Sequence, residues 1–160
     1  MKAIFLIFML GFINGFAQDD LEQRDDSFIL ENNKNLLKID IKIPFNQIKA
    51  KGCQNFEPAS FEGGAKAYKQ LLSDNMFKFL NSDFYTINGE FTFTLKIDEK
   101  GKVYDAEGNP KVMNSNIFFD DMQYVVRRIK NNWTPAKCNN VPVSSEMNIQ
   151  MNFNSIAADL

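Results

Sequence analysis

The side chains able to do covalent or metal chemistry are few in this 160-residue chain: two Cys, no His, 20 Asp and Glu, and 18 Lys and Arg. Without an imidazole there is no Ser-His-Asp or Cys-His nucleophile system, because no ring nitrogen can take the proton. A His-ligated zinc or iron site and a histidine pH switch are excluded as well, and two thiols fall short of a four-thiolate metal site. Catalysis would have to rest on carboxylates and lysines. Asp120 and Asp121 are neighbours, but adjacent helical positions point in different directions and do not share a site. They read instead as acids at the positive start of a helix. Phe61-Glu62-Gly63-Gly64 before Lys66 puts glycines at a helix start, where N–H groups can bind an anion. The G-x-x-x-x-G-K-[ST] pattern is missing, and the plainer reading is a flexible lead into a closely packed helix. Asn132-Trp133-Thr134 is an N-x-[ST] sequon, which matters only in a eukaryotic secretory pathway. No acid pair or activated lysine emerges. The expectation is a protein that is not an enzyme, with no catalytic residue, no metal ligand and no cofactor.

The two cysteines depend on compartment. Residues 1–17 read as a cleaved signal peptide: Lys2 is the positive end, Ala3 to Ile13 the apolar stretch, and Gly15 and Ala17 the small residues before a cut at Gln18. The polar run Gln18-Asp19-Asp20 arrives too early for a spanning helix of about 20 apolar residues. Cleavage removes Lys2 and takes the formal charge from −2 to −3. A weakly acidic chain with no basic cluster does not fit nucleic acid. In an oxidising compartment, which an exported chain meets, Cys53 and Cys138 can form one disulfide. Its long loop would be worth roughly 4 kcal/mol. Two separate thiols are the alternative, and geometry decides between them.

The chemistry is sparse, but the elements that would position it are legible. Residues 18–35 are polar and acidic around Phe28, Ile29 and Leu30 and read as a mostly irregular lead-in. Leu37, Ile39, Ile41 and Ile43 alternate with polar residues as a half-buried strand ended by Pro44. Residues 45–62 lack a period. Tyr68, Leu71, Leu72 and Met76 predict a helix over 64–76, and the denser apolar run from Phe77 to Phe84 a second short helical turn. Phe91, Phe93, Leu95 and Ile97 form a strand, Asp98 to Gly101 a turn, and Val103 and Tyr104 the start of the return strand toward Pro110. Ser115 or Asn116 caps a second helix with Phe118, Met122, Val125, Val126 and Ile129 on one face, and Arg127, Arg128 and Lys130 at its negative end. Met147, Ile149, Met151 and Phe153 alternate with Glu146, Asn148, Gln150 and Asn152 in a long last strand.

The expected fold is α+β: a small antiparallel sheet of about three strands, two helices on one face, and an extra N-terminal strand. The expected organisation is a signal peptide (1–17), an N-terminal extension with one strand (18–60) and a domain over 61–156. An open sheet with a long final strand offers main-chain donors and acceptors to an extended peptide. That makes Met147, Asn148, Ile149, Gln150, Met151, Asn152 and Phe153 the candidate partner-binding edge.

The order of motifs resembles the TonB C-terminal domain family, in its stand-alone periplasmic form. Phe61-Glu62-Gly63-Gly64 resembles the family's aromatic-x-Gly-Gly lead into a helix. Gly89 to Val103, reading GEFTFTLKIDEKGKV, resembles its hairpin. Trp133-Thr134-Pro135-Ala136 resembles its Trp-x-Pro corner, and Val141-Pro142-Val143 with Met147 to Phe153 its final turn and strand. These pieces cover about 61–154. The chain departs from the family pattern where Met76-Phe77-Lys78-Phe79-Leu80 replaces a Tyr-Pro element, where Asn140 replaces a turn glycine, and at Ile117 to Asp121. The resemblance implies a periplasmic protein-binding module. Its last strand would pair with a segment of a TonB-dependent outer-membrane receptor, or another envelope protein, in transport across the envelope. The family's inner-membrane helix and Pro-rich spacer have no counterpart in the sequence, so what is implied is the receptor-facing end without its engine. The alternative is a self-associating accessory protein of the envelope, a homodimer joined edge to edge.

Overall fold

The structure is a computed structural model and describes residues 27–31, 35–113, 115–130 and 133–157. The signal-peptide reading of residues 1–17 and the Asn132 sequon lie outside the described residues. In chain order the elements are β1 (Phe28–Glu31), β2 (Asn35–Ile41), β3 (Asn46–Ile48), β4 (Phe56–Glu57), β5 (Ser60–Phe61), α1 (Gly64–Phe79), a 3₁₀ turn (Ser82–Phe84), β6 (Asn88–Ile97), β7 (Val103–Asn109), α2 (Asn116–Arg128), β8 (Trp133–Thr134), β9 (Ala136–Cys138), β10 (Val141–Val143) and β11 (Ser145–Ala157).

The expected three-stranded sheet is corrected to a six-stranded antiparallel one. Its order is β1-β2-β11-β6-β7, with β3 also paired to β11. The N-terminal stretch supplies three of the six strands rather than one extra. The lead-in expected to be irregular contains β1, which pairs Phe28 to Ile39 and Glu31 to Leu36. Residues 45–62 hold β3, β4 and β5, too short to show a period. A three-stranded sheet β10-β9-β4 and a pair β5-β8 complete the architecture.

One face of the large sheet is solvated and the other carries both helices, as the alternations predict. Phe91, Phe93, Leu95 and Ile97 of β6 and Met147, Ile149, Met151 and Phe153 of β11 are buried under Tyr68, Leu72 and Met76 of α1 and Phe118, Met122, Val125 and Val126 of α2. The Phe-rich composition becomes an aromatic centre. The Phe118 ring meets Phe153 at 5.1 Å, Tyr85 at 5.3 Å, Phe91 at 6.1 Å and Phe93 at 6.2 Å, the edge-to-face geometry rings prefer. The apolar run after Met76 continues α1 to Phe79 as one helix. The chain then leaves through Leu80, whose extended backbone still donates to the Met76 carbonyl. Ser115 is the N-cap residue of α2, but its hydroxyl bonds the Val112 carbonyl, not the helix.

Candidate functional site

The strand expected to be a free edge is the most enclosed in the sheet. On one side, residues 145–154 of β11 pair with β6. On the other, Glu146, Met147 and Asn148 pair with β3, and Met151, Asn152 and Phe153 pair with Ile41, Asp40 and Ile39 of β2. Between them the Gln150 carbonyl accepts from the Lys42 N–H at 2.9 Å. Met147 to Phe153 is therefore a central strand. The correction has a simple cause: alternation shows that a segment is a strand and which face is buried, but not which strands flank it.

The edges lie elsewhere. β7 closes one side, and its middle is guarded. The Asp105 carboxylate accepts from the Ala106 N–H at 2.9 Å and from the Gln123 side chain of α2 at 2.7 Å, and pairs with Lys96 at 3.1 Å. Burial pushes this carboxyl up, but those three donors outweigh it and hold its pKa below the ordinary value. Lys96 also pairs with Glu107. An edge N–H taken by a side chain and charges along the strand oppose pairing with another chain. β1, on the far side, is four residues long and exposes Ile29 at 51%.

A third edge follows from register. β1 covers only Leu36 to Ile39 of β2, so the main chain beyond it, through β3, has β11 on one side only. Gln150 directs its carbonyl toward this side. The two-residue alternation puts Asn148 and Glu146 in the same orientation, bonded to Asn46 and Ile48. Gln47, opposite Met147, then turns its N–H and C=O outward.

Beside β3 lies an apolar hollow of about 220 Å³. Pro44, Phe45, Phe61, Trp133 and Met147 form its walls, and Gly64 and Ala65 at the start of α1 its rim. The aromatic walls are fixed by named contacts. Phe61 pairs with Trp133 across β5-β8, and Ser60 with Thr134. Tyr68 stands edge-on to Phe45 at 5.8 Å, to Phe61 at 5.0 Å and to Trp133 at 4.9 Å. The Gln47 Nε2 donates to the Ala59 carbonyl at 2.9 Å, tying β3 to the strand before the helix. Three buried polar atoms here lack a hydrogen-bond partner: Gln47 Oε1, the Trp133 indole Nε1 and the Tyr68 hydroxyl. Burial drives the Tyr68 hydroxyl well above the ordinary phenol range, so it stays protonated. Gly63 caps α1 in the left-handed region (φ 80°) with no side-chain bond to the first turn, and that turn carries no acid. The volume suits one large side chain and is too small for a cofactor of the usual pocket size.

Cys53 and Cys138 are joined, with Cα atoms 5.7 Å apart. The bridge ties β9 to the segment before β4, where the Asn139 N–H also bonds the Asn55 carbonyl at 2.9 Å and Lys137 meets Glu57 at 3.5 Å. Pro58 to Phe61 follow directly, so the bridge anchors the chain that forms one wall of the hollow. Asp121 sits in α2, where burial and Asp120 raise its pKa while the Tyr85 hydroxyl lowers it. Among the described residues no cluster of His, Cys, Asp or Glu could hold a metal, and no helix is long and apolar enough to cross a membrane. Sequence reasoning missed the hollow because its walls come from five separate elements. The Phe61-x-Gly-Gly and Trp133-x-Pro motifs were its only trace. No family model, curated protein or solved structure matches this chain.

Proposed function

We propose that this protein is a periplasmic protein-binding module of the TonB C-terminal type, which takes an extended segment of an outer-membrane receptor or another envelope protein by strand addition, in transport across the envelope. The observation that carries the reading is the outward main chain of β3 at Gln47 beside an apolar hollow. Strand addition uses this pair of features: main-chain bonds for affinity and an adjacent pocket for specificity. The ordered motifs over residues 61–154 support the family relation, although the sheet is larger than that resemblance implies. The Cys53–Cys138 bond supports an exported, oxidised protein. The site of addition is β3, since β11 is enclosed.

The test is titration of the chain from Gln18 onward with receptor N-terminal peptides, read by amide shifts. Binding should move the amides of Asn46, Gln47 and Ile48. N-methylation of alternate peptide residues, which removes ladder donors without altering the protein, should weaken binding at least tenfold. Shifts confined to other surfaces, or N-methyl peptides that bind as well as the parent, would remove the proposal. The exposed Ile29 on β1 favours a second reading, edge-to-edge dimerisation, which sedimentation would detect as a concentration-dependent dimer.

A further inference from the structure

The fold assembles a basic cleft from cations that stand far apart in the chain. Lys102 belongs to the turn between β6 and β7, and Arg127, Arg128 and Lys130 to the end of α2. The four line one open cleft of about 570 Å³, within the range of about 300–1,000 Å³ usual for small-molecule sites. Val103 and Ile129, 7% and 6% exposed, line it from the core side and hold the turn and the helix end together. The turn is pinned: the Lys102 N–H donates to the Asp98 carboxylate at 2.8 Å, and its carbonyl accepts from the Asp98 N–H at 2.9 Å. The negative end of the α2 macrodipole accounts for Arg127 and Arg128. It does not account for Lys102, which a different element supplies. The Arg128 guanidinium bonds the Tyr124 hydroxyl and lies over the Tyr124 and Phe79 rings at 4.7 and 5.8 Å. Among the described residues no carboxylate forms an ion pair with any of the four, and none lines the cleft. This holds in a chain whose formal charge is −2. Tyr104, 48% exposed, adds a phenol to the lining.

We propose that this cleft binds a phosphate monoester. Convergent cations with no acid among them are matched best by an anion of more than one charge. A monoester carries about −1.5 to −2 at neutral pH, with three strong acceptor oxygens. A carboxylate brings a single charge and two oxygens. The Arg127 guanidinium offers a planar fork of donors suited to phosphate oxygens, and Lys102 and Lys130 add compact charges. The cleft is larger than one phosphate, so the group esterified to it has room against Val103, Ile129 and the Tyr104 ring. Two sources carry this chemistry: a soluble phosphorylated molecule and the headgroup of a lipid such as phosphatidic acid. The site is independent of strand addition at β3.

The experiment titrates the chain from Gln18 onward, at physiological salt, with glycerol 3-phosphate, with citrate and with a glutamate homopeptide. The same chain is sedimented with phosphatidylcholine vesicles that contain phosphatidic acid, phosphatidylglycerol or neither. Saturable binding of glycerol 3-phosphate, with amide shifts at Lys102, Tyr104, Arg127 and Lys130, supports the site with a soluble ligand. Retention on phosphatidic acid vesicles without binding of glycerol 3-phosphate supports it with the lipid headgroup as the source. Citrate, the homopeptide and phosphatidylglycerol should each bind at least tenfold more weakly. Lys102, Arg127 and Lys130 are exposed, so their joint replacement by Gln should leave the far-ultraviolet spectrum unchanged and weaken binding at least tenfold. Lys66→Gln, at an exposed lysine of α1, should not weaken it. If the triple variant does not fold, Lys102→Gln alone should still weaken binding severalfold. Citrate or the homopeptide binding as tightly as glycerol 3-phosphate would overturn the proposal, as would equal retention on phosphatidylglycerol. Variants that bind like the native chain, or no binding by either source, would overturn it too.

Discussion

Gly101 shows how one residue sets the position of the candidate site. It closes the β6–β7 turn with φ +79°, in the region that side-chain-bearing residues rarely adopt. A Cβ there would lie 1.9 Å from the Trp133 carbonyl oxygen. The turn therefore packs directly on the backbone of the residue that walls the hollow. Asp98 holds the same turn, accepting from the Lys100 and Lys102 N–H groups at 2.9 and 2.8 Å. Gly101→Ala combines left-handed strain with a backbone clash and should cost about 2–4 kcal/mol. It should also move the Trp133 emission, because the strand carrying that ring must shift. Urea unfolding with fluorescence and circular dichroism measures both, and an unchanged midpoint would refute the close packing. The glycine was legible in the sequence as a turn residue. Its contact with Trp133, 32 positions later in the chain, was not, because nothing local records a long-range approach.

At the scale of elements, the sequence shows periodicity and hides partnership. The 3.6-residue stripe of α2 and the alternations of β6 and β11 are visible because each element is long and buries one side. β5 and β8 are two residues each, shorter than any period, yet they build one wall of the hollow. The bond between Cys53 and Cys138 holds that wall in place and closes a loop of 85 residues. Chain-entropy reasoning gives such a bridge about 4.5 kcal/mol, with smaller values where the reduced chain keeps structure. A Cys53→Ser, Cys138→Ser pair should lose about 2–4 kcal/mol in urea relative to the oxidised protein. Added reductant should bring the native chain to the same midpoint. The loss should reach the hollow before the large sheet: amide exchange should quicken first over residues 53–61 and 136–143. Uniform quickening across β6 and β11 would show that the bridge supports the whole fold rather than the wall.

For the whole molecule, the stretch between residues 28 and 48 is part of the core and not an appendage. Leu37, Ile39 and Ile41 are all 1% exposed or less, and β2 lies against β11 along residues 151–157. Burying three such side chains is worth about 5–8 kcal/mol by the usual per-residue figures, comparable to the net stability of a small domain. The backbone argument points the same way. Without β2 and β3, β11 would present a long row of unpaired N–H and C=O groups on an apolar strand, the arrangement that invites pairing between chains. A truncated chain of residues 61–160 should therefore fail to fold as a monomer. It should aggregate, or dimerise through the bared side of β11, whereas the chain from Gln18 onward stays soluble at the same concentration. Sedimentation of both chains, with circular dichroism on each, makes the comparison. The edge inferred from sequence along Met147 to Phe153 would then exist only in the truncated protein. A monomeric 61–160 chain with a cooperative melt would show instead that the helix layer alone sustains the sheet, and that the first three strands can be lifted from β11 to leave it open to a partner.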